Sequence, residues 1–502
     1  MSLNYNFIWL LCYLLVLVGL AGYGFHRLYL YWKNRNNKPQ PKARFQELPV
    51  VTVQLPMFNE KFVVDRLLES VAALDYPQDK LEIQILDDST DDTTEQCYRK
   101  VEELKSRGFD AVCIHRTDRT GFKAGALEAA TKVAKGEFLL ILDADFVPEP
   151  DLLQKTIHFF TDENVGLVQT RWGHINREYN LLTRIQGMYL DGHFAMEQTA
   201  RNRSGRFFTF NGTAGIWRKC VIGDAGGWSH DTLTEDMDLS YRVQLKGWRF
   251  IYLNDVVTPA ELPVDMDGFK SQQHRWTKGS IQVCQKILLD IWRSNAPLKA
   301  KVEATTHLTC NYSYLLLALL CFLVYPICTQ RIPENETVFM WFVNVALFFM
   351  TSVAVCIFYM SAQIVVRPKS WWKELPYLPL LLTLSVGMAV NNAKAVLEAI
   401  FGHQSAFVRT PKYGVDRKED RRHVSQLKRN GYRAIKSVVI PVLEIACGTF
   451  FLNLIIIMIR QGHYLSPILM IPFLGFYYTG FCSLGRMISN LLPAKQTAKA
   501  KN

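Results

Sequence analysis

The apolar residues of this chain are gathered rather than spread. They crowd residues 7–30 and much of roughly the last two hundred residues. Such runs reach the roughly 20 residues that cross a bilayer hydrocarbon core. Between them, from Leu48 to about Leu298, the composition is that of a soluble domain. A chain of 502 residues is also too long for one core. The pattern predicts a multi-pass integral membrane protein with a soluble domain inserted after its first span.

The formal net charge is +11, and topology accounts for it. Arg27, Lys33, Arg35, Lys38, Lys42 and Arg44 follow the first apolar run, and Arg367, Lys369 and Lys373 flank a later one. No basic stripe interleaved with aromatics marks the soluble part, so a nucleic-acid partner is excluded. Only uncharged residues precede the first run. The positive-inside rule therefore places the N-terminus outside and the soluble domain in the cytoplasm, under a plasma or inner membrane. The run is long for a signal peptide, and no small-residue cleavage site follows it. The 11 cysteines are scattered without a Cys-x-x-Cys pair. That argues against a disulfide framework or a zinc site and fits a reducing cytosol.

Within the soluble part, strand patterns alternate with helical ones. Residues 50–55, 81–86, 111–115 and 138–142 read as strands, with helical spacing between them. This order implies an α/β fold with a doubly wound, mainly parallel sheet. The five apolar residues 138–142 read as a strand buried on both faces. Asp143 and Asp145 stand where that strand ends, the place where ligands gather in open α/β sheets. Two acids one residue apart can hold a hard divalent cation that also touches a diphosphate. The other strand ends bring Phe58, Glu60, Asp88 and Lys123 to the same edge. Neither Gly-x-Gly-x-x-Gly nor a Walker A motif is present, which argues against a dinucleotide cofactor or a P-loop.

Further along, Leu181, Leu182, Ile185, Met188 and Tyr189 line one side of a helix over 180–202, as core packing requires. A small-residue turn, Phe210-Asn211-Gly212-Thr213-Ala214-Gly215, and a second acidic cluster, Thr234-Glu235-Asp236-Met237-Asp238, come next. Helical spacing points Asp238 away from Asp236 and gives it a structural role. Gln272-Gln273-His274-Arg275-Trp276 precedes an amphipathic stretch, Ile281 to Trp292, expected to lie in the membrane interface. His115, His174, His230 and His274 form no ligand set. Trp172 either lines an acceptor path or packs in the core. Spans are expected over 307–328, 338–365, 437–459 and 464–484. Segment 375–395 is read as re-entrant or interfacial. If it spanned, the basic loop 409–436 would lie outside, and Pro376, Pro379 and the pair Asn391-Asn392 also disfavour a span. The expected layout is a first span and linker (1–47), a catalytic domain (48–280), an interfacial helix (281–306), a pair of spans (307–366), a re-entrant segment with a loop (367–436), and a last pair of spans with a basic tail (437–502).

Taken in order, Asp88, Asp143-Ala144-Asp145, Thr234-Glu235-Asp236 and Gln272-x-x-Arg275-Trp276 resemble the processive family-2 glycosyltransferases. That group includes cellulose synthases, cellulose-synthase-like mannan and glucan synthases, and hyaluronan and chitin synthases. Phe407-Val408-Arg409-Thr410-Pro411-Lys412-Tyr413-Gly414 resembles the gating loop of cellulose synthases. The turn at 210–215 and the Gln272–Trp276 motif are most similar to mannan and xyloglucan-backbone synthases.

The resemblance implies a GT-A-like domain fused to transmembrane helices, and a role for each residue. Asp143 and Asp145 would hold Mg²⁺ or Mn²⁺, a Lewis acid on the leaving diphosphate. Lys123, Arg275 and Lys412 would neutralise that diphosphate. Phe58 would stack on the base, and Asp88 would bind the nucleoside. Glu60 and Gln272 would complete the nucleotide-sugar site. Asp236 would be the general base, with Glu235 orienting it, and Trp276 would carry the acceptor sugar. One base suffices, because a single displacement inverts the anomeric carbon, unlike the two-carboxylate glycosidases. The expected activity is β-glycosyl transfer that elongates a β-glucan or β-mannan, with translocation of the polymer through the spans. UDP-glucose is expected first as donor and GDP-mannose second. The growing polysaccharide, the bilayer and accessory export proteins are the expected partners. A lipid acceptor such as ceramide or polyprenyl phosphate is the alternative.

Overall fold

The computed structural model describes residues 5–33, 38–329, 349–404, 409–415, 438–461 and 467–491. Its soluble part is built on one sheet of seven strands. They are β1 (Val51–Met57), β2 (Leu81–Asp87), β3 (Asp110–His115), β4 (Phe138–Ile141), β5 (Val165–His174), β6 (Gly215–Arg218) and β7 (Arg249–Ala260). The order across the sheet is β3-β2-β1-β4-β6-β5-β7. The first four strands pair in parallel, as their alternation with helices predicts.

β4 is buried on both faces. Phe138 and Leu140 enter the core beneath the helices Val64–Ala72 and Thr93–Ser106. Leu139 and Ile141 enter the opposite core, with Leu127 and Ala130 of the helix Phe122–Val133 and with Trp217. Gly136 leads into β4 and lies tight against β1: a Cβ there would sit 2.5 Å from the Thr52 amide nitrogen.

Beyond β4 a single strand is reversed within an otherwise parallel sheet. β6 lies between β4 and β5 and runs antiparallel to both. Its four residues follow a small-residue turn, and so short a strand carries no periodicity of its own. The reversal has a direct consequence: the chain entering β6 meets the end of β4. The Ala214 amide donates to the Ile141 carbonyl (2.8 Å). The Asp143 amide donates to Thr213 Oγ1 (2.8 Å). The turn at 211–214 is thereby set beside Asp143.

Helix expectations need two corrections. The stretch over 180–202 is helical throughout, but residues Gly192–Gln198 form a π-helical segment. The amphipathic stretch expected to begin a separate unit at 281 continues an existing helix, Met266–Arg293, of 28 residues. No proline interrupts it, and Gly279 lets it press against Thr234, whose Cγ2 would lie 2.5 Å from a Cβ at that position. This helix carries Gln272, Arg275 and Trp276. It is pinned at Lys270, whose Nζ donates to Glu444 Oε2 (2.5 Å), Ser483 Oγ (2.9 Å) and the Thr479 carbonyl (3.1 Å), all buried.

Among the described residues, two helices are long and apolar enough to cross a membrane, Ile8–Lys33 and Val439–Arg460. Two bent pairs raise that to four if each is one span: Leu298–Thr309 with Tyr312–Pro326 (53°) and Trp371–Gly387 with Ala389–Ile400 (41°). The segment expected to be re-entrant or interfacial falls in the second pair. The greater part of the basic loop, Phe407, Val408 and part of the span expected over 338–365 lie outside the described residues.

Candidate active site

The ends of β1, β2, β4 and β5 and the helix Met266–Arg293 enclose one cavity. It is lined by Phe58, Glu60, Asp88, Lys123, Asp143, Asp145, Glu235, Asp236, Gln272, Arg275, Trp276 and Lys412. Every residue given a site role from the sequence thus lines one cavity, although the set spans more than 350 positions.

At the end of the cavity formed by β1 and β2, Asp88 is gripped by a guanidinium fork. Arg116 Nε donates to Oδ1 (2.8 Å) and Nη2 to Oδ2 (2.6 Å). Such bidentate charge-assisted pairs fix a carboxylate's plane. The Arg119 guanidinium lies over the Phe58 ring, 3.2 Å from its centroid. Neither arginine was singled out from the sequence. Both follow β3, in a loop with no periodic signal.

Two lysines meet the paired acids. Lys123, in the first turn of its helix, donates from Nζ to Asp143 Oδ1 and to the Gly212 carbonyl (2.8 Å). Lys412 Nζ donates to Asp145 Oδ2 (2.6 Å) and to the Glu261 carbonyl (2.9 Å). The segment carrying Lys412 is strapped to Glu261. That carboxylate accepts from the amides of Tyr413 (2.9 Å), Gly414 (2.9 Å) and Val415 (3.2 Å). Arg409 pairs with Glu60 (2.8 Å) and donates to the Phe58 carbonyl (2.8 Å). Burial pushes the Glu60 carboxyl up to about 7, against the pull of Arg409. Glu261 also escaped the sequence reading, since its partners are some 150 residues away.

At the other end, Glu235 and Asp236 open the helix Glu235–Leu245. Asp236 Oδ1 accepts from the Met237 amide (2.8 Å). Burial raises both carboxyls, and for Asp236 the neighbouring Glu235 charge adds to the rise while Lys123 opposes it. A carboxyl held above its ordinary range is poised to take a proton near neutral pH. Asp238 is fully buried and pairs with Arg242 (2.7 Å) and Lys286 (3.0 Å). Trp276 stands 6.5 Å from Trp172, which packs edge-on against Phe146 at 5.2 Å. Trp172 therefore both lines the cavity and belongs to an aromatic cluster.

Asp143 and Asp145 offer hard oxygen ligands on the cavity wall, each now balanced by an ammonium group. No cluster of three or more His, Cys, Asp or Glu ligands is found among the described residues. Two carboxylates still suit Mg²⁺ or Mn²⁺, which keep several waters and take substrate phosphates as ligands.

Comparison with known proteins gives likenesses of three kinds. Residues 49–279 match the model of the family described as Glycosyltransferase like family 2. The chain is 42% identical over 281 residues to glucomannan 4-beta-mannosyltransferase 2 of Arabidopsis thaliana, a match covering 53% of this chain and 52% of that protein. It is 41% identical over 277 residues to glucomannan 4-beta-mannosyltransferase 1 of Oryza sativa subsp. japonica, covering 54% and 53%. The match spans about half the length of these relatives. Among solved structures, the mannosyltransferase PcManGT from Pyrobaculum calidifontis, in complex with GDP-Man and Mn²⁺, superposes with a TM-score of 0.55. It is 20% identical and covers 78% of this chain and 100% of that one, a likeness of fold.

Proposed function

We propose that this chain, whose residues 49–279 form a glycosyltransferase family 2 domain, is an inverting β-mannosyltransferase that elongates a β-mannan-type polysaccharide. One observation carries the reading. A Cβ built on Gly212 would lie 3.1 Å from Asp236 Oδ2 and 3.5 Å from Lys123 Nζ. A base for the acceptor hydroxyl and a cation for the departing diphosphate thus stand beside the same glycine.

Asp236 takes the proton from the acceptor hydroxyl as that oxygen bonds to the anomeric carbon. The bond from the anomeric carbon to the diphosphate oxygen breaks in the same step, and the nucleoside diphosphate leaves. Inversion of an α-linked donor gives a β-linkage. Lys123 and Arg275 neutralise the departing charge, with Lys412 above them. Asp143 and Asp145 would hold a divalent cation that supplies Lewis acidity to the diphosphate when bound. Trp276 presents an aromatic face to the terminal acceptor sugar.

The relatives shift the expected donor. Both sequence relatives bear mannosyltransferase names, and the structural neighbour holds GDP-Man. GDP-mannose therefore replaces UDP-glucose as the first donor in this reading. The same names favour a glycan acceptor over ceramide or polyprenyl phosphate. The apolar helices support a membrane enzyme; in this reading the positive-inside rule puts the cavity on the cytoplasmic side, and the spans carry the polymer across.

The test is direct. The purified protein is incubated with radiolabelled GDP-mannose or UDP-glucose, and the products are digested with endo-β-1,4-mannanase or endo-glucanase. A mannanase-sensitive polymer from GDP-mannose is expected. A polymer from UDP-glucose alone, or a single sugar on a lipid, overturns the reading.

A further inference from the structure

β5 ends at the cavity, and side chains two apart on a strand share a face. Trp172 and His174 are such a pair, and both line the cavity. The His174 side chain is 5% exposed, and its Nε2 lies 3.2 Å from Oδ1 of Asp191, whose side chain is 1% exposed. Oδ2 of Asp191 accepts from Arg177 Nη1 (2.6 Å) and from Gln363 Nε2 (3.1 Å). Burial opposes ionisation of Asp191, but the hydrogen bond from His174 and the Arg177 charge outweigh it and hold the carboxyl well below the usual range.

An ionised carboxylate only accepts hydrogen bonds, so the imidazole nitrogen facing it carries the hydrogen. In the neutral ring the other nitrogen, Nδ1, then offers a lone pair. The one protein hydrogen bond of this ring among the described residues is that to Asp191. Arg177 and Gln363 fix the carboxylate, and the carboxylate fixes the ring. A buried imidazole held in one tautomer, two residues from a tryptophan that adjoins Trp276, is built to meet a hydroxyl in this cavity. A sugar is the ligand class that brings hydroxyls to an aromatic face.

Resting on the mannosyl-transfer reading of the cavity, we propose that His174 Nδ1 accepts a hydrogen bond from a hydroxyl of the acceptor glycan, on the sugar that stacks against Trp276, and that Asp191 is its positioning residue. The relationship explains why a charged carboxylate is buried beside this strand end, away from the paired acids of the donor. It also makes the acceptor's orientation a property of β5.

Full-length enzyme is assayed with GDP-mannose and β-1,4-linked mannotetraose. His174→Phe keeps the ring and removes the acceptor nitrogen. It should raise the KM for mannotetraose about tenfold, the loss expected of one buried hydrogen bond. GDP-mannose affinity, measured by calorimetry, should stay within about twofold, which also certifies the fold. His174→Gln, which retains a polar tip, should recover part of the acceptor KM. Asp191→Asn should raise the acceptor KM without moving donor affinity. An unchanged acceptor KM in His174→Phe and in Asp191→Asn overturns the proposal, as does a parallel loss of donor affinity in the folded His174→Gln variant. A wild type that uses no GDP-mannose overturns the functional reading itself, a different outcome from a wild type that elongates mannotetraose while the variants do so equally well.

Discussion

Gly212 stands against Asp236: a Cβ on Gly212 would lie 3.1 Å from the Asp236 Oδ2, and the glycine has a φ of +80°. Both the backbone conformation and the close approach favour a residue without a side chain. Gly212→Ala should therefore displace the base and the turn that accepts from Lys123. A misplacement of about 1 Å costs on the order of 10²-fold in rate. Steady-state kinetics should show kcat falling on that scale, with GDP-mannose affinity changed far less. An alanine variant with wild-type kcat would separate the glycine from the chemistry.

Asp236→Asn should reduce transfer by about 10²–10⁴-fold, the contribution of a positioned base, and leave donor affinity nearly intact. Because burial raises this carboxyl, wild-type kcat should climb with pH along a limb placed above the ordinary aspartate value of about 4. Stability runs the other way. A carboxyl raised in the folded state stabilises fully below its unfolded value, and that stability is lost as pH rises through the raised value. Thermal scans in detergent should find Asp236→Asn gaining on the wild type as pH rises. A variant retaining more than about a tenth of the wild-type rate would point to another base.

Chelation should abolish transfer, and Mg²⁺ or Mn²⁺ should restore it. Asp143→Asn should weaken nucleotide binding in the presence of metal and have little effect in its absence, where Lys123 already balances the carboxylate. Calorimetric titration of GDP with and without Mn²⁺ checks both statements. Full activity in excess EDTA is the result that would remove the cation.

Lys412→Ala removes the cation from Asp145 and leaves the segment held through Arg409, the backbone amides on Glu261 and the packing of Tyr413 and Val415 on Tyr179 and Val264. Polymer yield should fall severely in detergent as well as in bilayers, because the ammonium acts inside the cavity. A defect seen only in bilayers would instead mark Lys412 as a headgroup contact.

Lys270→Met should destabilise by about 3–5 kcal/mol, the cost of leaving Glu444 as an uncompensated buried charge. Adding Glu444→Leu should recover most of that loss, because the pair is then replaced by apolar volume. A double-mutant cycle read by thermal unfolding in detergent measures the coupling. Additive losses would mean the two charges are solvated separately.

Much of this site was legible in the sequence because its residues sit at strand ends and helix starts. Asp143 and Asp145 follow a five-residue apolar run, and Lys123 follows a glycine that opens a helix. Such places are announced by local composition. Arg116, Arg119, Glu261 and His174 were not recognised. Each acts through a partner far along the chain, or through a partner whose position depends on the sheet order. Glu261 reads as one more polar residue at the end of β7 until three amides from 413–415 are seen on it. The antiparallel β6 escaped for a different reason. Four residues after a turn have no period to read, and only the pairing of Leu139 with Trp217 reveals them as a strand.

The helix Met266–Arg293 must hold one rotational phase from end to end. Lys270 faces Glu444, Arg275 and Trp276 face the cavity, Gly279 faces Thr234, and Ile281 packs with Val396 and Ala399. Each added residue turns everything beyond it by about 100°. A single insertion between 270 and 275 would leave Lys270 seated and swing Trp276 out of the cavity, or seat Trp276 and pull the buried ammonium away from Glu444. No loop intervenes to absorb the error. This stretch is therefore a segment of fixed count: substitutions can be tolerated there one at a time, but length changes cannot.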